Sequence, residues 1–127
     1  MTVFTEARHT AEFILSEANG SRSRENGIVT SGEILAAGQL VQLDTGKLVA
    51  FDGATNTAGD LLVEATGIVL GPIDASATGT NADTPVAYLA RDAEVNDNLL
   101  TFPEETSGGN EHANAVASLA LLGILVR

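Results

Sequence analysis

Short apolar runs broken by turn-forming residues occupy most of this chain, and their length and spacing predict strands. Ile28-Val29-Thr30 is one such run, stopped at Ser31-Gly32. Leu40-Val41-Gln42-Leu43 and Lys47-Leu48-Val49-Ala50-Phe51 flank Asp44-Thr45-Gly46 and end at Asp52-Gly53, the pattern of a β-hairpin. Gly67-Ile68-Val69-Leu70, stopped by Gly71-Pro72, and Pro85-Val86-Ala87-Tyr88-Leu89-Ala90 read as two further strands. Small and polar residues at Ala54 to Asp60 and Ala75 to Asp83 read as loops. Arg91 to Asn98 is polar, with a turn expected at Asn96-Asp97-Asn98, and Leu99-Leu100-Thr101-Phe102-Pro103 closes the region.

The two ends differ from this middle. From Met1 to about Asn26 there is no sustained period, only the island Phe13-Ile14-Leu15 among charged residues, followed by the loop-like Asn19-Gly20-Ser21-Arg22-Ser23-Arg24. Three apolar residues do not build a core, but they can pair as a strand with something else. Beyond the acidic, Gly-containing stretch Glu104 to Asn110, the Ala- and Leu-rich Glu111 to Leu122 predicts a helix. Asn110 or Ser107 would serve as its N-cap, Val116, Leu119 and Ala120 would face inward, and Gly123 would end it. Ile124-Leu125-Val126 can then return as a strand. The division expected is therefore an N-terminal arm over 1–26 and a β-rich domain over 27–127.

Composition narrows the functional classes. A chain of 127 residues with 44% apolar side chains forms about one domain with a real core, and with 4% aromatics that core is mostly aliphatic. The net charge of −11, with basic residues only at Arg8, Arg22, Arg24, Lys47, Arg91 and Arg127, argues against binding nucleic acid or an anionic membrane, both of which need clustered positive charge. The absence of cysteine removes disulfides, thiolate metal sites and a cysteine nucleophile. Met1 to Glu12 does not read as a secretory leader, and the interrupted apolar stretch Ala115 to Val126 is shorter than the ~20 residues of a membrane span, so a soluble protein is expected.

Candidate chemistry is sparse. Asp44-Thr45-Gly46 matches the tripeptide of aspartic proteases, in which two carboxylates share one proton, and a small dimeric protease using Asp44 is the alternative reading. Lys47 stands against it, since an ammonium there would disturb the shared proton, and Asp-Thr-Gly is an ordinary turn sequence. His9 and His112 lie near opposite ends without metal-ligand spacing. Asp92, Glu94, Asn96 and Asp97 alternate like calcium ligands, but Asp97 stands where a calcium loop of the EF-hand type needs glycine, so a solvated turn is expected. A sugar-binding module would need an aromatic platform, and the β region holds only Phe51, Tyr88 and Phe102. What remains is an acidic β-rich interaction module with no cofactor, metal or small-molecule substrate implied.

Several motifs in series carry a resemblance. Leu43-Asp44-Thr45-Gly46-Lys47-Leu48-Val49-Ala50-Phe51-Asp52-Gly53, then Gly67-Ile68-Val69-Leu70, then Leu100-Thr101-Phe102-Pro103 with a helix and strand after it, resemble in order and spacing the lambda-type phage head decoration protein family. Glu12 to Glu25 and Arg91 to Asn96 resemble a prophage-borne branch of that family, while the arm departs from lambda's own sequence. The resemblance implies a mainly β fold with a C-terminal helix, forming a trimer at the local three-fold sites on the outside of the expanded head. It implies a structural, non-enzymatic role in stabilising the capsid against internal DNA pressure. The implied partners are the major capsid protein and two further copies of the chain, and the implied location is the virion surface, after a period in the host cytoplasm. The N-terminal arms would add strands to the capsid protein. Phe13, Ile14, Leu15 and Ser16 are the expected strand, Arg22 and Arg24 the expected charge contacts, and the arm is expected to be mobile until bound.

Overall fold

A computed structural model describes residues 3, 5–105 and 109–127. Among the described residues the chain forms ten strands, one 3-10 turn and one α-helix. Strands β2 (Arg24–Val29), β5 (Lys47–Ala50), β4 (Leu40–Asp44), β6 (Gly67–Val69) and β8 (Thr84–Leu89) close, in that order, into a barrel. β1 (Ile14–Glu17), β9 (Ala93–Val95) and β10 (Ile124–Val126) form a separate sheet with β9 in the middle. β3 (Ile34–Leu35) pairs with β7 (Ile73–Asp74). The helix α1 (Glu111–Leu121) leads directly into β10.

Burial on both faces explains why β4 and β6 read as apolar runs instead of an alternation. Successive strand residues point to opposite faces. Val41 and Val69 belong to one core cluster with Val29, Leu35, Leu48 and Val86, all from or beside the barrel strands. Their neighbours Leu40 and Ile68 belong to a second cluster with Phe13, Leu89, Val95, Leu119 and Ile124. β4 and β6 are thus covered on both faces, once by the barrel and once by the helix and the three-stranded sheet. A closed barrel also leaves those strands no free edge. Gly67 is required where β6 meets β8, since a Cβ there would lie 2.3 Å from the Leu89 carbonyl oxygen.

The hairpin expected around Asp44-Thr45-Gly46 is present, with Asp44 opposite Lys47. Thr45 at φ 50° and Gly46 at φ 84° give the left-handed pair of a type I′ turn, whose twist matches the flanking strands. The helix and the returning strand are also present, with Gly123 at φ 78° turning the chain between them. Asn110 occupies the N-cap without a side-chain cap bond, and Ser107 lies outside the described residues.

Three expectations need correction. Residues 91–98 contain a strand, β9, with Ala93 and Val95 buried. On α1 the buried residues are Ala115, Ser118 and Leu119, Val116 is half-buried and Ala120 is exposed. Ser118 turns inward because its hydroxyl accepts the Ala65 N–H at 2.8 Å and donates to Glu64 at 2.5 Å. The third correction concerns the arm. Phe13 is 0% exposed in the core, Ile14–Glu17 is paired with β9 of the same chain, and β2 runs through the division drawn between residues 26 and 27. An island of three apolar residues suffices here because β9 and β10 supply the rest of the sheet.

Candidate functional site

At the tip of the β4–β5 hairpin, Asp44 is exposed, and the adjacent Thr45 hydroxyl donates to the Asp44 carbonyl at 2.8 Å. A shared-proton dyad needs two carboxylates held close together in a cleft, and this one projects from a surface turn. Lys47 is engaged elsewhere, its ammonium 2.6 Å from Asp83, which also accepts the Ser31 N–H at 2.9 Å. These donors hold the Asp83 carboxyl below its usual range, the Lys47 ammonium most of all.

The alternating acids each have a different partner. Asp92 faces Arg22 at 3.8 Å, Glu94 accepts from Arg127 at 2.9 Å, Asn96 accepts the Asn98 N–H and Asp97 lies 2.8 Å from His112. Among the described residues no group of three or more His, Cys, Asp or Glu side chains is placed to hold a metal ion. His112 packs on Phe102, ring centres 4.3 Å apart, and His9 lies 2.8 Å from Glu6.

The described N-terminal residues divide into an exposed part and a part built into the core. Residues 3 and 5–9 are exposed and without regular structure, and Arg8 donates to the Thr101 hydroxyl at 2.7 Å. From Ala11 onward the chain is anchored, first by its N–H to the Leu70 carbonyl at 2.8 Å and then by Phe13. Of the expected strand residues, Phe13 is buried and Ile14 half-buried, while Leu15, 56% exposed, and Ser16 stay accessible on β1. β1 is an edge strand, so its outer side is open to a further strand.

Arg24 is paired within the chain, and Arg22, largely exposed, lies 3.8 Å from Asp92. Arg24 makes a two-pronged contact with Glu17, at 2.6 and 3.0 Å, and Glu17 also accepts the hydroxyl of the fully buried Ser23 at 2.6 Å. Arg91 pairs with Glu25 and donates to the Arg22 carbonyl at 2.5 Å. This cluster fastens the β1–β2 turn to the start of β9, and sequence alone gave no sign of Glu17 and Ser23 in it. Arg24 first and Ser23 second hold the Glu17 carboxyl below its ordinary value of 4.5. A carboxyl depressed in the folded state adds stability above its unfolded value and loses that contribution as pH falls through the folded value. Glu17→Gln should therefore melt at a lower temperature than the parent near neutral pH, with the gap closing in acid below that 4.5. Paired thermal melts across that range check it, and a gap that widens in acid would count against the assignment.

The remaining exposed apolar side chains include Leu62, Val63 and, at 77%, Leu121. Leu121 lies on the outward face of α1, where Ala113, Ala117 and Ala120 are also exposed, and a shallow groove runs between that face and Gly59, Asp60, Leu61 and Glu64. No charged residue lies on α1 beyond Glu111.

No individual curated protein matches the chain. A family model does match, that of the bacteriophage lambda head decoration protein D, over residues 3–124 of the 127. That family is structural, not enzymatic, and its place is the phage capsid. With nearly the whole chain matched, this protein belongs to the bacteriophage lambda head decoration protein D family.

Proposed function

We propose that this protein binds as a trimer at the local three-fold sites on the outside of the expanded phage head and stabilises it against internal DNA pressure, its N-terminal arms adding strands to the major capsid protein. The match to the head decoration family over residues 3–124 carries the decoration role. Residues 3 and 5–9 are exposed, whereas Phe13 and Ile14 pack in the core, which favours the exposed residues as the pairing part of the arm. Strand addition through these residues would satisfy backbone groups on both partners, and three weak arms acting together would bind far more tightly than one. The basic side chains each have a partner within the chain but stay substantially exposed, so basic groups on the capsid side meeting this acidic chain would add attraction without breaking those pairs. The uncharged outward face of α1, with Leu121 exposed on it, supports contact between copies, since two chains of net charge −11 repel wherever acids face acids.

Two variants separate the arm from the trimer contact. Thr5→Pro removes a backbone donor from the exposed segment and should reduce capsid binding at least about tenfold, the equivalent of losing one or two hydrogen bonds per arm across three arms. Its melting temperature should equal the parent's. Leu121→Lys places a charge on the α1 face and should shift the sedimentation of the free protein or of the capsid-bound complex toward monomer while leaving the fold intact. Undiminished binding by Thr5→Pro would refute strand addition by residues 3–9. An unchanged assembly state in Leu121→Lys would refute the α1 contact.

A further inference from the structure

Asn-Gly occurs twice in this chain, at Asn19-Gly20 and Asn26-Gly27, and the fold treats the two pairs oppositely. Asn19 and Gly20 are both exposed in the turn that joins β1 to β2. Gly20 sits at φ 69°, and a Cβ built on it would meet no atom within 4 Å. Asn26, whose side chain is also exposed, and Gly27, half-buried, lie within β2, where their backbone is in register with Ala87 and Val86 of β8. A Cβ on Gly27 would lie 2.7 Å from Leu48 and 3.1 Å from Tyr88, so the backbone there is closely packed and paired with β8. Each other asparagine precedes a residue with a side chain.

We propose that Asn19 is a site of spontaneous deamidation in the folded protein and that Asn26 is protected by its strand. The backbone nitrogen of Gly20, having given up its proton to solvent base, attacks the side-chain carbonyl carbon of Asn19. The new N–C bond closes a five-membered imide as the C–N bond to the side-chain nitrogen breaks, and ammonia leaves. Water then adds to either imide carbonyl and reopens the ring to aspartate or isoaspartate. The net change is one amide and one water converted to a carboxylate and ammonium, with no oxidant or reductant. Ring closure needs the following nitrogen to swing toward the side chain, which bare glycine in an open turn permits and an extended strand held by neighbours forbids. The product adds a negative charge to a turn in which Arg22 already faces Asp92 at 3.8 Å. The turn is held by backbone bonds on either side of Asn19-Gly20, from the Ala18 N–H to the Asp92 carbonyl and from the Arg24 N–H to the Ser21 carbonyl, at 3.1 and 3.0 Å.

Trypsin separates the two candidates: the peptide 9–22 holds Asn19 alone and the peptide 25–47 holds Asn26 alone. The full-length protein is aged at mildly alkaline pH, folded or in urea, and digested for mass spectrometry and labelling by an isoaspartate-specific methyltransferase. In the folded sample, product should accumulate in 9–22 at least about tenfold faster than in 25–47, because Asn26 reacts only when β2 opens. In urea the two peptides should react at similar rates, and Asn19→Gln should remove the signal from 9–22. Equal rates in the folded protein, or an Asn19 that reacts in urea but not when folded, would overturn the proposal.

Discussion

Leu119→Asp should leave no cooperatively folding protein. Leu119 is 0% exposed and sits where α1 meets Phe13, Ile68, Leu89 and Ile124. The substitution removes a large aliphatic side chain, at about 2–5 kcal/mol for truncation alone. It also places a carboxyl where nothing apolar can pair with it, at a further cost of several kcal/mol. Small domains hold only about 5–15 kcal/mol in total, so the sum exhausts the margin. The check is thermal unfolding by circular dichroism with Leu119→Ala beside it: the alanine variant should melt at a reduced temperature and the aspartate variant should show no transition. Near-parental melting by Leu119→Asp would mean that this face of α1 is not the buried one.

The second large effect falls on Phe13. Phe13→Ala should destabilise the fold by about 3–5 kcal/mol, because an aromatic ring deep in the core leaves a cavity that the surrounding backbone cannot collapse into. A chain beginning at Gly27 should not fold at all, as it loses Phe13, all of β1 and the half of β2 from Arg24 to Asn26 that is paired with β8. A chain beginning at Thr10 should keep the parental melting temperature and lose most capsid binding. Chemical denaturation of the three proteins separates these outcomes. A folded chain from Gly27 would restore the longer arm.

That contrast shows where sequence reading stops. The β4–β5 hairpin was legible because its information is local: two apolar runs and a turn that needs left-handed residues at Thr45 and Gly46. The C-terminal helix, its end at Gly123 and β10 were legible for the same reason. β9 was not, since Ala93 and Val95 are only two apolar positions between acids. They become a strand because β1 and β10, from opposite ends of the chain, lie on either side. Phe13 was misjudged for want of β9, and once β9 went unseen the island had nothing in its own chain to pair with. On α1, hydropathy chose Ala120 over Ser118, but a serine whose hydroxyl satisfies a buried backbone N–H is worth burying. As for the capsid-facing residues, the charges of Arg22 and Arg24 were visible while their partners Asp92 and Glu17 were not. Function was legible chiefly through the family resemblance, because composition alone excluded classes without choosing a partner.

Decoration of the expanded head is the central claim, and co-sedimentation tests it most directly. The purified protein is mixed separately with expanded and immature heads of the phage that encodes it, and the pelleted material is quantified. The account predicts saturable pelleting with expanded heads, approaching one trimer per local three-fold site, and none with immature ones. No pelleting with expanded heads, or equal pelleting with both, would contradict it.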